Sequence, residues 1–347
     1  MIKEKIKEKL GIIYLDRPQK INALTLAMIR EIRKILEKWE ENEEIRAILF
    51  DSTSEKGFCS GGDLKEVYND YLLKPNKKDK SEFFREEFEL DKYIASYKKP
   101  VISHWYGIVM GGGIGLSINS DIIITDETTN WAMPETRLGF VPDVGVCKYL
   151  STLPQDLGQY LGLCGESLGA SDLVDFKLCH VKISSNDYKK ALDKLINLTK
   201  DYEAKKLVDK YKSYLESIED KNRVSKIDGK KEAIKKYFSY SSFEEIYKAV
   251  EGNLEDDFAR EIYNNFSKRP SFMLALQFEK YFLCKNLSYE ETIDLDYKIL
   301  NYSVDIGYME EGIRAVMVDK DNNPSWRNEN IKNIDREKIK DLLGSNY

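Results

Sequence analysis

Histidine is nearly missing from this sequence: its 347 residues contain two, His104 and His180. That scarcity excludes HExxH zinc sites and His-rich metal clusters, and it argues against a histidine general base. Cysteine is sparse too. The five cysteines, at 59, 147, 164, 179 and 284, are odd in number and widely spaced. No CxxC pair suggests a zinc site or a redox couple, so reduced thiols in a cytosol are the simplest reading. With 8 prolines and 20 glycines, a low-complexity chain is excluded. Neither sign of charge dominates, since 54 Lys and Arg stand against 60 Asp and Glu for a net charge of −6. A dedicated nucleic-acid binder would carry a strongly basic domain. No apolar run approaches the roughly 18 residues that a membrane-spanning helix needs. Met1 to Lys5 alternate in charge without an apolar stretch, so neither export nor organelle import is supported and a cytoplasmic location is expected.

What is present is an ordinary globular composition, 42% hydrophobic with 12% aromatics. The length suits about two domains. The first half alternates strands with helices, the pattern of an α/β architecture. Gly11–Leu15 reads as a strand, and a helix capped by Thr25 carries Ile29, Ile32, Leu36 and Trp39 on one face. Ile45–Phe50 is a second strand, followed by a glycine-bearing loop, Gly57 to Asp63. A helix begins near Ser81, a strand runs from Pro100 through Val109, and the glycine cluster at 111–115 opens an apolar helix. Ile122–Thr125 is another strand. From about 186 the chain becomes Lys/Glu-rich and amphipathic, with helices expected at 188–197, 202–217, 243–251, 258–267 and 272–283. These changes place a boundary near 185, between residues 1–185 and 186–347.

Several candidate motifs fall away on inspection. Positions 111 to 115 lack the G-x-G-x-x-G spacing of a dinucleotide site, because position 116 is Leu. Gly165-Glu166-Ser167-Leu168-Gly169 has the hydrolase-elbow spacing, yet the residues before it read as helix rather than strand. His104 sits in an apolar strand pattern and reads as a packed or locally hydrogen-bonded side chain, and His180 reads alike. The glycine loops at 61–62 and 111–113 suit another purpose, since backbone N–H groups there can face a developing oxyanion. Met133-Pro134-Glu135 and Val141-Pro142-Asp143 present two carboxylates eight positions apart, each after a proline that stiffens the chain. Apolar neighbours would raise the pKa of Glu135, whereas Asp143, if it opens a helix over 144–150, would be held ionised by the helix dipole. Such a split suits acid–base chemistry, although two acids beside prolines are more often turn or cap residues.

Together these residues resemble the crotonase (enoyl-CoA hydratase/isomerase) superfamily over most of the chain. Leu15-Asp16-Arg17-Pro18 with Asn22-Ala23-Leu24 is similar to the family's opening. Phe58 to Leu64 and Met110 to Leu116 resemble its two oxyanion-hole loops, which implies donors at the Gly62 and Gly112 amides. The resemblance implies a crotonase-like β-β-α spiral core with a C-terminal α-helical region. A hydratase of the family would carry a glutamate where this chain has Gly115, and a glycine where it has Asp143. Pro142-Asp143-Val144-Gly145, with Glu311 to Val316 and Pro324-Ser325-Trp326 downstream, resembles instead the branch that hydrolyses short 3-hydroxyacyl-CoA thioesters. The resemblance thus implies Glu135 and Asp143 as the catalytic pair and Glu87 as a substrate contact. Val146-Cys147 replace a glycine-rich stretch, bulk expected to narrow the acyl pocket. The implied partner is a small acyl-CoA substrate, with no metal or redox cofactor, no nucleic acid and no membrane. Family members commonly assemble into trimers and hexamers, so a homo-oligomer is compatible. Two other expectations share the fold: an enoyl-CoA hydratase or isomerase using Glu135 alone, and a non-catalytic binding protein.

Overall fold

The computed structural model describes residues 1–74, 76–326 and 331–344. The α/β class stands, with a mainly parallel sheet early in the chain and helices dominating its C-terminal part. Contacts divide the chain into two compact units, each built from three segments: residues 1–62, 86–132 and 168–226, then 63–85, 133–167 and 227–347.

The first unit holds all the strands found among the described residues. Its main sheet comprises β1 (Ile2–Lys7), β2 (Leu10–Leu15), β3 (Ala47–Ser52), β4 (Val101–Trp105), β6 (Ile122–Thr125) and β8 (Val181–Lys182), in that spatial order. Only β1 and β2 pair antiparallel, Ile2 opposite Leu15; the rest are parallel, with Leu10 opposite Ala47 and Ile48 opposite Val101. Between them β5 (Ile108–Met110) and β7 (Asn130–Ala132) form a separate parallel pair. The single strand expected from Pro100 to Val109 is therefore two. It breaks at Gly107, whose φ of +50° suits glycine and whose missing Cβ would lie 2.4 Å from the Lys56 carbonyl oxygen.

Period-2 alternation gives the main sheet two apolar faces. Leu10, Ile12, Leu49, Ile102, Ile122 and Ile124 pack on one side against Ala191, Leu195, Leu207, Tyr211 and Leu215. Those partners lie on the helices Tyr188–Asp201 and Ala204–Ser217. The boundary expected near 185 therefore does not match the packing: the sheet face needs these helices to leave water, and they belong to its unit. Near β2, Gly11 leaves space for Trp39, whose ring would stand 2.6 Å from a Cβ there. Trp39 closes the helix Leu26–Glu40, which begins as expected, the Thr25 hydroxyl accepting from Met28 N–H at 3.2 Å.

The second unit is helical among its described residues. Ser271–Cys284 has eleven buried residues, and its apolar residues run all round rather than along one stripe. Tyr289–Asp305 follows a capping box, Ser288 Oγ accepting from Glu291 N–H at 3.1 Å while Glu291 accepts from Ser288 N–H at 2.7 Å. That helix, together with Lys231–Phe238 and Arg336–Leu343, adds to those expected from periodicity. No helix among the described residues is long and apolar enough to cross a membrane.

Candidate active site

In the first unit, the turn at Asn22 and strand β5 fix the loop 57–62 by backbone bonds on both sides. Phe58 N–H donates to Tyr106 O at 3.0 Å, Cys59 N–H to Ile108 O at 3.1 Å, and Met110 N–H to Cys59 O at 3.0 Å. From the other side Leu24 N–H donates to Gly61 O at 2.8 Å, and the buried Asn22 amide donates to Phe58 O at 2.9 Å. Gly61 has φ +93° and passes so close to the second loop that a Cβ would lie 3.6 Å from Gly112 N. Gly112 begins the short helix Gly112–Gly115. Among the described residues, neither Gly62 nor Gly112 N–H has a backbone acceptor.

Glu87 is brought to the same place. It is 3% exposed on the helix Glu82–Ala95, and a Cβ on Gly112 would sit 1.9 Å from its Oε1. A side chain at 112 would push that carboxylate aside, and the three residues expected from the two loops and this helix lie in one unit. The neighbouring Cys59 is held as the thiol. Burial, with the Glu87 charge adding to it, pushes its thiol up to about 12 despite its contact with the Gly61 carbonyl.

In the second unit, Glu135 opens the tight turn Glu135–Leu138 and is 5% exposed. Arg137 N–H donates to Pro134 O at 3.0 Å, and the Thr136 hydroxyl donates to Leu163 O at 3.1 Å. Gly139 ends the turn in the left-handed region, its carbonyl accepting from the Ser303 hydroxyl at 2.9 Å. Asp143, 4% exposed, follows on the next turn. The helix begins later than expected, at Val146 with Gly145 as its cap, so Asp143 does not open it. Its charge state also differs from the expectation. Burial and the charge of Asp296 push Asp143 up to about 8, against the attraction of Lys280.

The segment around Asp143 is strained. Val144 has φ +50°, a region that costs a β-branched residue about 1–3 kcal/mol. Three side chains hold it there: Lys280 Nζ donates to Pro142 O at 2.5 Å, the Tyr289 hydroxyl to Val144 O at 3.2 Å, and Gly145 N–H to Asp296 Oδ2 at 2.8 Å. Sequence reasoning missed Lys280, Tyr289 and Asp296. The available signal was a lysine inside the apolar run Phe272 to Cys284. Cys147 is buried in the helix Val146–Leu150, its sulfur accepting from the Gln277 amide at 3.6 Å, so its bulk is taken up by packing against Ser271–Cys284.

The rejected motifs stay rejected. Residues 165–169 follow a helix, with Gly165 as its left-handed cap. His180 Nδ1 accepts from Ile123 N–H at 2.9 Å. Buried His104 lies with Nδ1 3.3 Å from Asp51 Oδ1 and its ring stacked on Tyr188, centroids 3.4 Å apart. All five cysteines are free and buried.

A family model described as enoyl-CoA hydratase/isomerase matches residues 10–343. A relative from Danio rerio named 3-hydroxyisobutyryl-CoA hydrolase, mitochondrial, is 31% identical over 342 residues, covering 97% of this chain and 87% of its own. The Homo sapiens protein of the same name is 32% identical over 340 residues, covering 95% and 84%. Among solved structures, a carnitinyl-CoA dehydratase from Mycobacterium thermoresistibile superposes with a TM-score of 0.85 at 25% identity, covering 99% of this chain and 96% of that one. An enoyl-CoA hydratase from Rhodobacter sphaeroides does so with a TM-score of 0.85 at 26% identity, with the same coverage.

Proposed function

The chain belongs to the enoyl-CoA hydratase/isomerase family, and from that premise we propose that it hydrolyses a short, branched 3-hydroxyacyl-CoA thioester. The favoured substrate is 3-hydroxyisobutyryl-CoA, cleaved to 3-hydroxyisobutyrate and coenzyme A in valine breakdown. The observation that carries this reading is the likeness to proteins named as hydrolases along nearly the full chain; the buried Asp143 of the Pro142 to Gly145 turn is compatible with it.

In this reading the Gly62 and Gly112 N–H groups polarise the thioester carbonyl and hold the oxyanion, each supporting about 3–4 kcal/mol of the barrier reduction. Glu135 acts as nucleophile or as base for water, and Asp143 and Glu87 orient the substrate hydroxyl and the attacking group. Water adds to the acyl carbon and the C–S bond breaks. The departing thiolate takes up a proton, for which a carboxyl with a raised pKa is a suitable donor, and the upward shift of Asp143 by burial supports that role. The reaction as written needs neither metal nor redox cofactor, coenzyme A being part of the substrate. The relatives carry a mitochondrial designation in their names, which runs against the cytoplasmic expectation.

The test is release of free CoA from 3-hydroxyisobutyryl-CoA, followed with a thiol reagent. Wild-type turnover is expected, with Glu135→Gln and Asp143→Asn each lowering it by about 10²- to 10⁴-fold. Absence of CoA release from this substrate and from 3-hydroxypropionyl-CoA, together with hydration of crotonyl-CoA, would replace the hydrolase reading with a hydratase.

A further inference from the structure

Lys280 and Asp296 form an ion pair with no side-chain exposure on either partner. Burying two charges is expensive, and such a pair is often no more stable than apolar residues of the same volume. Its geometry points to another use. The two side chains come from successive helices, Ser271–Cys284 and Tyr289–Asp305. Each also grips one end of the Asp143 turn: Lys280 Nζ donates to Pro142 O at 2.5 Å and Asp296 Oδ2 accepts from Gly145 N–H at 2.8 Å. The Asp143 residue lies within the four-residue segment spanned by those two bonds, and the Tyr289 hydroxyl takes the intervening Val144 carbonyl. We propose that Lys280 and Asp296 are a positioning pair for the Asp143 carboxyl, holding its turn in the left-handed bend and setting the protonation form in which it is presented.

The groups acting on this carboxyl in its own unit are few. Asp296 disfavours its ionisation, Lys280 favours it, and burial disfavours it most. Cys147 and Cys284 lie in the same cluster, Cys147 held low by its bond with Cys284 and Cys284 held high. Asp296 keeps Lys280 charged against the cost of its burial. Tyr289 contacts the backbone rather than the carboxyl. Two opposed charges of fixed position thus bracket one titrating group, and removing them has opposite consequences. Asp296→Asn leaves Asp143 as the remaining counter-ion of Lys280 and lowers the pH at which it ionises. Lys280→Met leaves it beside a carboxylate and raises that pH.

The catalytic significance of the pair rests on the proposed role of Asp143, so the experiment has two arms. The first needs no turnover. Urea unfolding between pH 4 and 9, for wild type, Lys280→Met and Asp296→Asn, each with and without Asp143→Asn, reports the titration of Asp143 in every background through linkage. The expected result is a midpoint about one pH unit or more lower in Asp296→Asn and higher in Lys280→Met. Midpoints that stay put, or that move in one common direction, overturn the proposal. Should Lys280→Met fail to fold, the Asp296→Asn shift alone decides.

The second arm is the pH profile of CoA release. Both variants are expected to lose about 10- to 100-fold in kcat, with less change in KM, because a turn displaced by about an ångström loses its aim. Their limbs should follow the midpoints of the first arm. Lys280→Arg combined with Asp296→Glu keeps both charges and should recover most of the turnover. Shifted midpoints with unmoved turnover would leave the positioning pair standing and remove Asp143 from the proposed chemistry. Unmoved midpoints with turnover lost in Asp143→Asn would do the reverse.

Discussion

Two buried clusters of charge, one in each unit, solve the same electrostatic problem differently. In the first, His104 lies between Asp51 at 3.3 Å and Asp126 at 3.8 Å. Asp51 also accepts from the Tyr188 hydroxyl at 2.7 Å, and Asp126 from Thr128 N–H at 2.8 Å and its hydroxyl at 2.6 Å. Burial alone would raise Asp126, but His104 and Thr128 hold it below the usual carboxylate range. Burial also opposes the imidazolium, and the two aspartates more than offset it, so His104 is raised. In the second, one ammonium serves two carboxylates, and Asp143 is pushed up to about 8. The only hydrogen bond lowering it among the described residues comes from its own backbone N–H. The difference lies in the donors. A carboxylate answered by hydroxyls and amides is a structural anchor, and one left to opposing charges is poised to titrate.

The comparison breaks most visibly at Lys280. Lys280→Met strands Asp296 beside Asp143 in an apolar interior, and urea denaturation should show a loss of about 3–5 kcal/mol. A loss below about 1 kcal/mol would mean that the ion pair is not clamped as described. Next in size, His104→Ala removes a stacked ring and leaves two carboxylates facing each other, which should lower stability by about 2–3 kcal/mol. CoA release at saturating substrate should stay within about twofold of wild type; a large fall in a folded His104→Ala protein would make the first cluster functional and erase the contrast.

A third outcome concerns pH. Because Asp143 ionises near 8 in the folded chain and near 3.8 when unfolded, its contribution to stability is fully present below the unfolded value and lost as pH rises through about 8. The advantage of wild type over Asp143→Asn should therefore shrink steadily from pH 4 to pH 8; an advantage that grows over that range would reverse the assigned direction. The smallest effect belongs to the surface. Arg30 and Glu86 make a two-pronged pair at 2.5 and 2.7 Å, but in contact with water. Arg30→Gln should cost less than about 1 kcal/mol in the same denaturation assay, and still less in high salt.

Much of the candidate site was legible because its residues stand in motifs local in sequence. Glycines at 62 and 112 and acids at 135 and 143 stand in short motifs, and Glu87 lies in a recognisable helix. A Cβ on Gly112 would fall 1.9 Å from Glu87 Oε1, so a larger residue there would push that carboxylate aside. The boundary near 185 was misplaced because period and composition report an element's type, not which sheet face it covers; Leu195 and Tyr211 read as amphipathic helix whether or not they join β2 and β6. The dipole expectation for Asp143 failed on a shift of a few residues in where a helix begins.

By itself the sequence determined the alternation of strands and helices in the early chain, the helical character of the later part, and the short glycine and carboxylate motifs of the candidate site. These depend on periodicity and on neighbours a few positions apart. Only the tertiary structure decided that Lys280 and Asp296, 138 residues beyond Pro142 and 151 beyond Gly145, hold the Asp143 turn. Burial and opposing charge across such separations set the ionisation of a carboxyl, and neither quantity is written in the residues beside it.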